Sequence, residues 1–147
     1  MSPTIDKRKA AALIRSKDFS GEDLRSIDAS DRDLSSLKAT AALIRDARFN
    51  RANLREASFE NANLSNSHFR DADLRNASFR NADVEGADFS GADLRGADFT
   101  GASLIGASFV DTTGERKEAT IDHTTVLPNE AIEPLFPEQL AFVRSVR

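Results

Sequence analysis

The sequence contains no cysteine, tryptophan or tyrosine, and it has only two histidines, His68 and His123. Without cysteine the chain can form neither a disulfide framework nor a thiolate metal site. Neither histidine belongs to a nucleophile–base pair, a phosphate-binding loop or a motif with metal-ligand spacing. We therefore expect no catalytic residue, no cofactor and no metal ion in this protein.

The sequence also lacks long hydrophobic runs. No stretch approaches the roughly 20 apolar residues of a membrane-spanning helix, and Met1–Ser20 has no signal-peptide hydrophobic region. The net charge is only −4, although Asp83–Asp111 alone carries −5. From this length and composition we predict one cytoplasmic domain, residues 1–147, that contacts neither a membrane nor nucleic acid directly.

A repeat of five residues fills Ala42–Asp111. Its fourteen consecutive units keep one frame, and the third place of each unit holds Leu, Phe, Ile or Val. The first place holds Ala in every unit except the one that begins with Ser67. A frame of this length is an internal repeat and has to be interpreted before any local pattern. The units read ALIRD, ARFNR, ANLRE, ASFEN, ANLSN, SHFRD, ADLRN, ASFRN, ADVEG, ADFSG, ADLRG, ADFTG, ASLIG and ASFVD.

A period of five residues fits neither a helix nor a flat strand. A helix would spread the third-place residues around its axis, and a flat strand would put alternate units on opposite faces. The period becomes regular if the chain bends once per unit, so that the first and third places point inward. Phe alternates with Leu, Val or Ile at successive third places, which predicts a four-sided coil of 20 residues.

The predicted core consists of third-place residues that stack from coil to coil at the strand spacing of about 4.8 Å. Burial of each large side chain contributes about 1.5–3 kcal/mol. Two predicted columns are aromatic: Phe49, Phe69, Phe89 and Phe109, and beside them Phe59, Phe79 and Phe99. Two are aliphatic: Leu54, Leu74 and Leu94, and beside them Ile44, Leu64, Val84 and Leu104.

Units such as ADLRG, ANLSN and ADFSG resemble those of the pentapeptide-repeat family. This resemblance implies a right-handed quadrilateral β-helix, usually in a bacterial protein. We therefore predict an all-β solenoid of about five coils with short α-helical caps at the N- and C-termini. The resemblance implies no single function, because members of the family do many different things.

The N-terminal region, residues 1–16, is predicted to cap the coil. We expect a helix over Thr4–Ser16, started by Thr4 or Asp6, in which Leu13 and Ile14 cover the first coil. The basic run Lys7–Lys9 is interpreted as a solvated face of this helix.

Residues 17–111 are predicted to form the coils, because Lys17–Ala41 continues the same frame in degraded form. The alternative is a second helix over Leu37–Ala47, which its alanines would permit. In two degraded units a large residue takes the first place and alanine the third, so that the interior volume is retained. These pairs are Ile27 with Ala29 and Leu37 with Ala39.

The frame breaks after Asp111. Residues 112–118 are polar and predict a loop, whereas 119–128 supply the last coil sides with Ile121 and Val126 inside. Residues 129–147 are predicted to close the C-terminal end.

Helical spacing returns at the C-terminus. Pro137 suits a first helical position, which predicts a helix over Pro137–Val146. We expect Leu140 and Val143 to pack over the last coil; alternatively, Val143 and Val146 join two chains in a homodimer. The chain is thus predicted to be a monomer or a homodimer formed by the C-terminal helix.

Two outward-facing columns are candidates for partner binding. The fourth place on one side holds Arg55, Arg75 and Arg95, one in each coil. They form either a basic stripe for an acidic partner or a solvated ladder with Asp73 and Asp93, which would contribute little to stability.

The second candidate is an acidic belt around one coil, formed by second-place residues of four consecutive units. Members of the pentapeptide-repeat family that protect DNA gyrase are thought to imitate the charge and shape of DNA, so the resemblance allows such a role. The alternative is local, because aspartate at a corner can accept a backbone hydrogen bond. The belt comprises Asp83, Asp88, Asp93 and Asp98.

We interpret the chain as a non-enzymatic binding or scaffold protein that presents a β-helical surface to an unidentified protein partner. The alternative is a DNA mimic that binds DNA gyrase or another topoisomerase and modulates it or protects it from quinolones. The small net charge, the arginine-rich surface and the uninterrupted repeat favour the first interpretation.

Overall fold

Parallel pairing between residues 20 positions apart builds the coil. The computed structural model describes residues 5–111, 117–128 and 137–146, and its second-place residues form single-residue parallel bridges from coil to coil. Because 20 residues comprise four units, each coil has four sides, which we number by their bridging columns. Side 1 contains Asp18, Lys38, Ser58, Ser78, Asp98 and Val126, and side 2 contains Asp23, Leu43, Asn63, Asp83 and Ser103. Side 3 contains Asp28, Arg48, His68, Asp88 and Ser108, and side 4 contains Asp33, Asn53, Asp73, Asp93 and Thr120.

Backbone hydrogen bonds join each coil to both of its neighbours. On side 4 the Asn53 N–H donates to the Arg32 carbonyl of the coil below at 2.9 Å, and the Leu54 N–H donates to the Asp73 carbonyl above at 2.8 Å. The same pattern recurs on the other sides. Backbone groups that a bend would otherwise leave unpaired are thereby satisfied inside the solenoid.

The corners depend on left-handed backbone at the fifth place of each unit. Every fifth-place residue from Gly21 to Gly106 has a positive φ, and Arg51 is an example at 60°. The corner is closed by a hydrogen bond from the Ala52 N–H to the Phe49 carbonyl at 3.1 Å. This is a four-residue turn whose third residue needs positive φ, a conformation that favours glycine and asparagine.

Phenylalanine fills one pair of opposite sides, sides 1 and 3. The rings of Phe69 and Phe89 stack with centroids 5.1 Å apart and planes 6° apart, and those of Phe79 and Phe99 stack at 4.7 Å and 2°. Rings of the two columns meet edge to face, for example Phe79 and Phe89 at 5.6 Å and 86°. Both arrangements are favourable for aromatic pairs. All phenylalanines of the two aromatic columns are fully buried.

Aliphatic residues fill the other two sides. The third places of side 4 hold Leu54, Leu74 and Leu94, and those of side 2 hold Ile44, Leu64, Val84 and Leu104. Each of these side chains has no solvent-exposed surface. They are therefore structural residues of the core, and a partner molecule cannot reach them in the folded protein.

The degraded first units belong to the coil. Lys38 and Leu43 bridge to the coils below and above, so the helical alternative for Leu37–Ala47 is wrong. Leu37 and Ala39 are both fully buried, which places the large side chain at the first position and the small one at the third.

Two buried hydroxyls replace the usual first-place alanine. The Ser67 hydroxyl donates to the Ile44 carbonyl at 2.8 Å, and the Thr125 hydroxyl donates to the Leu94 carbonyl at 2.7 Å. Each therefore points inward without leaving a polar atom unpaired, which would be costly in a dry core.

Helix α1 spans Lys7–Ser16. Asp6 is its N-cap and accepts the Arg8 N–H at 2.7 Å. The helix thus begins later than predicted, because Asp6 caps it; Thr4, the other predicted cap, lies outside the described residues. The partly buried residues that pack against the coil at this end are Ile5, just before α1, and Ala10, Leu13 and Ile14 within it.

The last coil contains two insertions. Thr120 pairs with Asp93, 27 residues earlier instead of 20, and Val126 pairs with Asp98, 28 residues earlier. Seven residues are therefore added between sides 3 and 4, and one more is added before Val126.

The second insertion overturns one predicted core position. The extra residue precedes a corner of normal length, which the Thr125 N–H closes on the Asp122 carbonyl at 3.1 Å. The frame shifts by one residue, so Val126 takes an outward second place and is 45% exposed, while Leu127 is buried. The sequence prediction assumed an unbroken period of five. Ile121, before the shift, is buried.

Helix α2 spans Pro137–Val146. Phe142 and Val143 are buried, and Val146 is partly buried against the same core. The Leu140 side chain and residues 129–136 lie outside the described part of the chain. Because Val143 is fully buried against its own chain, it is not accessible for the predicted contact between two C-terminal helices.

Phe79→Asp is expected to unfold the protein, because a carboxylate in the aromatic core would have no partner. Far-UV circular dichroism should show loss of the β spectrum. The control, Phe79→Leu, should remain folded with a lower midpoint in urea, because it stays apolar. A folded Phe79→Asp protein would contradict the buried aromatic column.

Candidate functional site

Side 4 carries a ladder of paired charges. The Arg75 guanidinium binds Asp73 through Nε–Oδ1 at 2.9 Å and Nη2–Oδ2 at 2.7 Å, and Arg95 Nε binds Asp93 Oδ1 at 2.9 Å. Arg75 Nε also lies 3.7 Å from Asp93 Oδ2 of the next coil. Two of the three arginines of the predicted basic column are thus neutralised within the chain.

Arg55 differs from the other members of this column. Its unit has Asn53 where the next two coils have aspartate, and the Asn53 side-chain oxygen accepts the Arg55 backbone N–H at 3.2 Å. Within the described part of the chain, no carboxylate oxygen lies within 4 Å of the Arg55 guanidinium. Arg55 is therefore an exposed cation without an ion pair in the described part of the chain, as is Arg32 at the first place of the same side.

The acidic belt is also largely neutralised. Three of its four carboxylates bind an arginine of the same or a neighbouring coil. The distance from Nη1 of the arginine to Oδ2 of the aspartate is 3.0 Å for both Asp88 and Asp98. Asp83 has no cation within 4 Å among the described residues. The three pairs are Asp88–Arg70, Asp93–Arg95 and Asp98–Arg80.

Second-place aspartates also shape the corners. The Asp88 carboxylate accepts the Ser90 N–H at 2.9 Å, and the Asp98 carboxylate accepts the Thr100 N–H at 2.8 Å. The neutral Asn63 does the same for Ser65 at 3.1 Å. An acceptor two residues before the backbone N–H is what this position requires, with or without a negative charge.

The seven-residue insertion leaves the coil at the corner between sides 3 and 4. It begins and ends at an antiparallel bridge between Val110 and Glu118. We call the four described residues around this bridge, 110–111 and 117–118, the hairpin base. Lys117 Nζ binds Asp71 Oδ2 at 2.7 Å, which holds the hairpin base against a lower coil. The other predicted loop residues, 112–116, lie outside the described part.

Gln139 of α2 closes the exposed edge of the last coil. Its Oε1 accepts the N–H groups of Phe109 and Val110 at 2.6 and 2.9 Å, and its Nε2 donates to the Val110 carbonyl at 2.8 Å. The side-chain amide therefore pairs with backbone groups at the edge of the last coil, as the peptide group of a further coil would. Gln139 was not among the predicted site residues, because a glutamine in a first helical turn carries no signal for such a role.

A cavity of about 240 Å³ lies beside this closure. It is lined by Arg70, whose guanidinium binds Asp111 at 2.9 Å and Asp88 at 3.0 Å. These two carboxylates, Asp111 first, raise the pKa of Arg70. Through its bond to Asp111, Arg70 ties the hairpin base to the third coil.

The frame that forms the stacked coils also identifies the family. A family model described as a pentapeptide repeat region matches residues 39–109. The chain belongs to the pentapeptide-repeat family. No curated protein matches the chain significantly.

Several solved pentapeptide-repeat structures are similar. Rfr23 from the cyanobacterium Cyanothece 51142 is 20% identical, and the superposition has a TM-score of 0.51. It covers 82% of this chain and 97% of the Rfr23 chain. A pentapeptide-repeat protein of the Arabidopsis thaliana thylakoid lumen is 33% identical over 63% and 68%, with a TM-score of 0.44. Trypsin-treated QnrB1, a plasmid-mediated fluoroquinolone resistance protein, is 18% identical over 86% and 90%, with a TM-score of 0.39. The predicted right-handed quadrilateral β-helix is confirmed.

Potential metal ligands are dispersed in the described part of this pentapeptide-repeat chain. Among the described residues, no group of three or more potential metal ligands comes together. His68 and His123 are both exposed and lie on different parts of the coil. Neither helix, within the same residues, has the length and apolarity needed to cross a bilayer.

The side-4 ladder makes stability depend on pH. Hydrogen bonds from Arg95 hold the pKa of Asp93 below its ordinary value of 3.8, and those from Arg75 do the same for the pKa of Asp73. A carboxylate with a lowered folded-state pKa stabilises the fold above its unfolded-state pKa. That contribution is lost as the pH falls through the folded-state value.

We expect the free energy of unfolding to decrease as the pH falls below about 4, and Asp93→Asn to make that decrease shallower. Asparagine keeps the corner acceptor and removes only the titrating charge. The loss at neutral pH should be below about 1 kcal/mol, because the pair is partly exposed. Urea unfolding at several pH values measures both effects. Parallel pH profiles for the two proteins would contradict the assignment.

Proposed function

We propose that this protein is a non-enzymatic cytoplasmic binding module that recognises a protein partner through polar and charged contacts. The observation that carries this proposal is the division between its inside and its outside. Every phenylalanine of the described residues is buried, and the outward places hold mainly short polar or charged side chains. Among the described residues this surface offers no aromatic platform for bases and is mainly polar, so charge and hydrogen bonding select the partner.

Side 4 and the hairpin base form the contact surface of this proposal. Arg55 supports it, because its guanidinium is exposed and lacks the carboxylate that Arg75 and Arg95 have. A carboxylate of a partner can supply the missing pair without breaking one that already exists. The hairpin base adjoins the same side and interrupts an otherwise regular surface, which gives a partner a feature to recognise.

Arg55→Glu tests this surface by charge reversal. Quantitative affinity capture should yield a protein that binds wild type and is lost with the variant. The control, Arg48→Glu, changes the same charge on side 3 and should keep that protein. Arg48 is also exposed. Equal capture by all three proteins, or equal loss with both variants, would contradict a role for side 4.

DNA mimicry is the second candidate, and the acidic belt is the observation that favours it. We propose that it is the lesser candidate, because Arg70, Arg80 and Arg95 neutralise most of the belt. A DNA mimic needs an extended field of unpaired negative charge to compete for a basic surface.

A DNA gyrase supercoiling assay with and without quinolone distinguishes the two candidates. We expect neither inhibition nor protection at micromolar protein concentration and at two salt concentrations. An effect that weakens with salt and disappears after neutralisation of Asp83, Asp88, Asp93 and Asp98 to asparagine would establish mimicry instead.

A further inference from the structure

Several charged residues of side 2 form no ion pair within the described residues, although Arg25 binds Asp23 at 2.8 Å at the lower end of the side. Asp83 and Glu85 of the fourth coil have no cation within 4 Å among the described residues; the Glu85 carboxylate accepts the Ser103 hydroxyl at 2.9 Å. Arg45 of the second coil bonds to no carboxylate there and instead donates to the Ser65 hydroxyl at 3.1 Å. Side 2 thus carries charges of both signs, two coils apart, that are not neutralised within the described chain.

Side 2 also exposes apolar surface. Ile105 is 52% exposed and occupies the fourth place directly above Glu85. The corners beside this end of the side are Gly86, Gly101 and Gly106, which have no side chains to keep another surface away. The hairpin base and Gln139 contact sides 3 and 4 instead. In the part of the chain that the structure describes, neither of them covers side 2.

We propose that side 2 is an interface between two copies of this chain, arranged antiparallel. The twofold axis passes through the third coil and runs along the strand direction. It reverses the order of the coils, so that each column of one copy faces the same column of the other copy in the opposite order. The fourth-place column then faces its own reverse. Its order is Arg25, Arg45, Ser65, Glu85 and Ile105.

This arrangement matches the unneutralised charges. Arg45 of one copy faces Glu85 of the other, with Asp83 in the adjoining column, and the same contact is repeated by symmetry. Such an interface is isologous, because the same patch serves both copies. The aliphatic part of Arg25 faces Ile105 and can cover it.

The parallel arrangement is disfavoured by the same charges. A twofold axis along the coil axis would place Asp83 of one copy opposite Glu85 of the other. Like charges brought together in this way oppose association. Side 4 is a poorer candidate for an antiparallel contact, because Arg75 would face its own copy and is already bound to Asp73.

The contact is small. Five coils at about 4.8 Å and a side of about three extended residues give a flat area of roughly 24 by 10 Å. This lies below the area of standard stable interfaces, which begin at about 1,200 Å² in total. We therefore expect reversible association in the micromolar range or weaker.

Sedimentation velocity and equilibrium over micromolar to millimolar concentrations test the interface. The wild type should approach twice the monomer mass as its concentration rises. Two variants reverse opposite halves of the contact: Arg45→Glu, and Asp83→Asn combined with Glu85→Arg. Asparagine retains the corner acceptor for the backbone of residue 85. Each variant alone should associate at least about tenfold more weakly than the wild type.

The decisive measurement is a mixture of the two variants. An equimolar mixture should recover association, because the glutamate introduced at position 45 of one chain faces the arginine introduced at position 85 of the other. At the symmetry-related contact, the native Glu85 of the first chain faces the native Arg45 of the second. Recovery cannot come from a folding defect in either variant. Arg48→Glu on side 3 is the control and should associate as wild type does, because Arg48 is exposed and lies outside both proposed surfaces.

A wild type that remains monomeric throughout would overturn the proposal. So would variants that still associate, since the contact would then lie on another surface. Failure of the mixture to recover association would overturn the antiparallel geometry and with it the proposal.

Discussion

Backbone pairing between residues 20 positions apart is the constraint on which the whole structure depends. This pairing sets the distance between successive coils and places each third-place side chain directly over the equivalent residue of the coil below. Phe69 and Phe89 stack because their backbones are already held in register. The left-handed corner at every fifth place keeps that register around all four sides. A single inserted residue is enough to turn Val126 outward and Leu127 inward.

The same spacing organises the outer surface. Side chains of one column lie a strand spacing apart, so an arginine can reach carboxylates of its own coil and of the neighbouring coil. Many charges therefore find a partner within the chain, as Arg75 does with Asp73 and Asp93. The informative residues are those that do not. Arg55 loses its partner because Asn53 replaces an aspartate, and among the described residues Asp83 and Glu85 have no arginine nearby.

These unpaired charges divide the surface into different roles. On sides 1 and 3, Arg80 and Arg70 neutralise aspartates of the fifth and fourth coils, whereas Arg48 of side 3 is exposed without an ion pair in the described chain. Side 4 has an exposed arginine, Arg55, that no carboxylate of the described chain neutralises, which suits a partner with a carboxylate. Side 2 has both signs in an order that is complementary to its own reverse. A solenoid can separate such functions by side, because its rigidity comes from the core and not from the outward residues.

The sequence by itself determined the coil. The period of five, the alternation of Phe with aliphatic residues and the proline that begins α2 are local signals. Because a regular set of apolar side chains has to be buried, the period predicts a coil with four sides. Only the tertiary structure decided how the ends and the surface are arranged. The shift before Val126, the closure by Gln139 and the pairing of Arg70 depend on residues 18 to 41 positions apart. No sequence period reports those contacts, because they depend on which side chains reach each other across neighbouring coils.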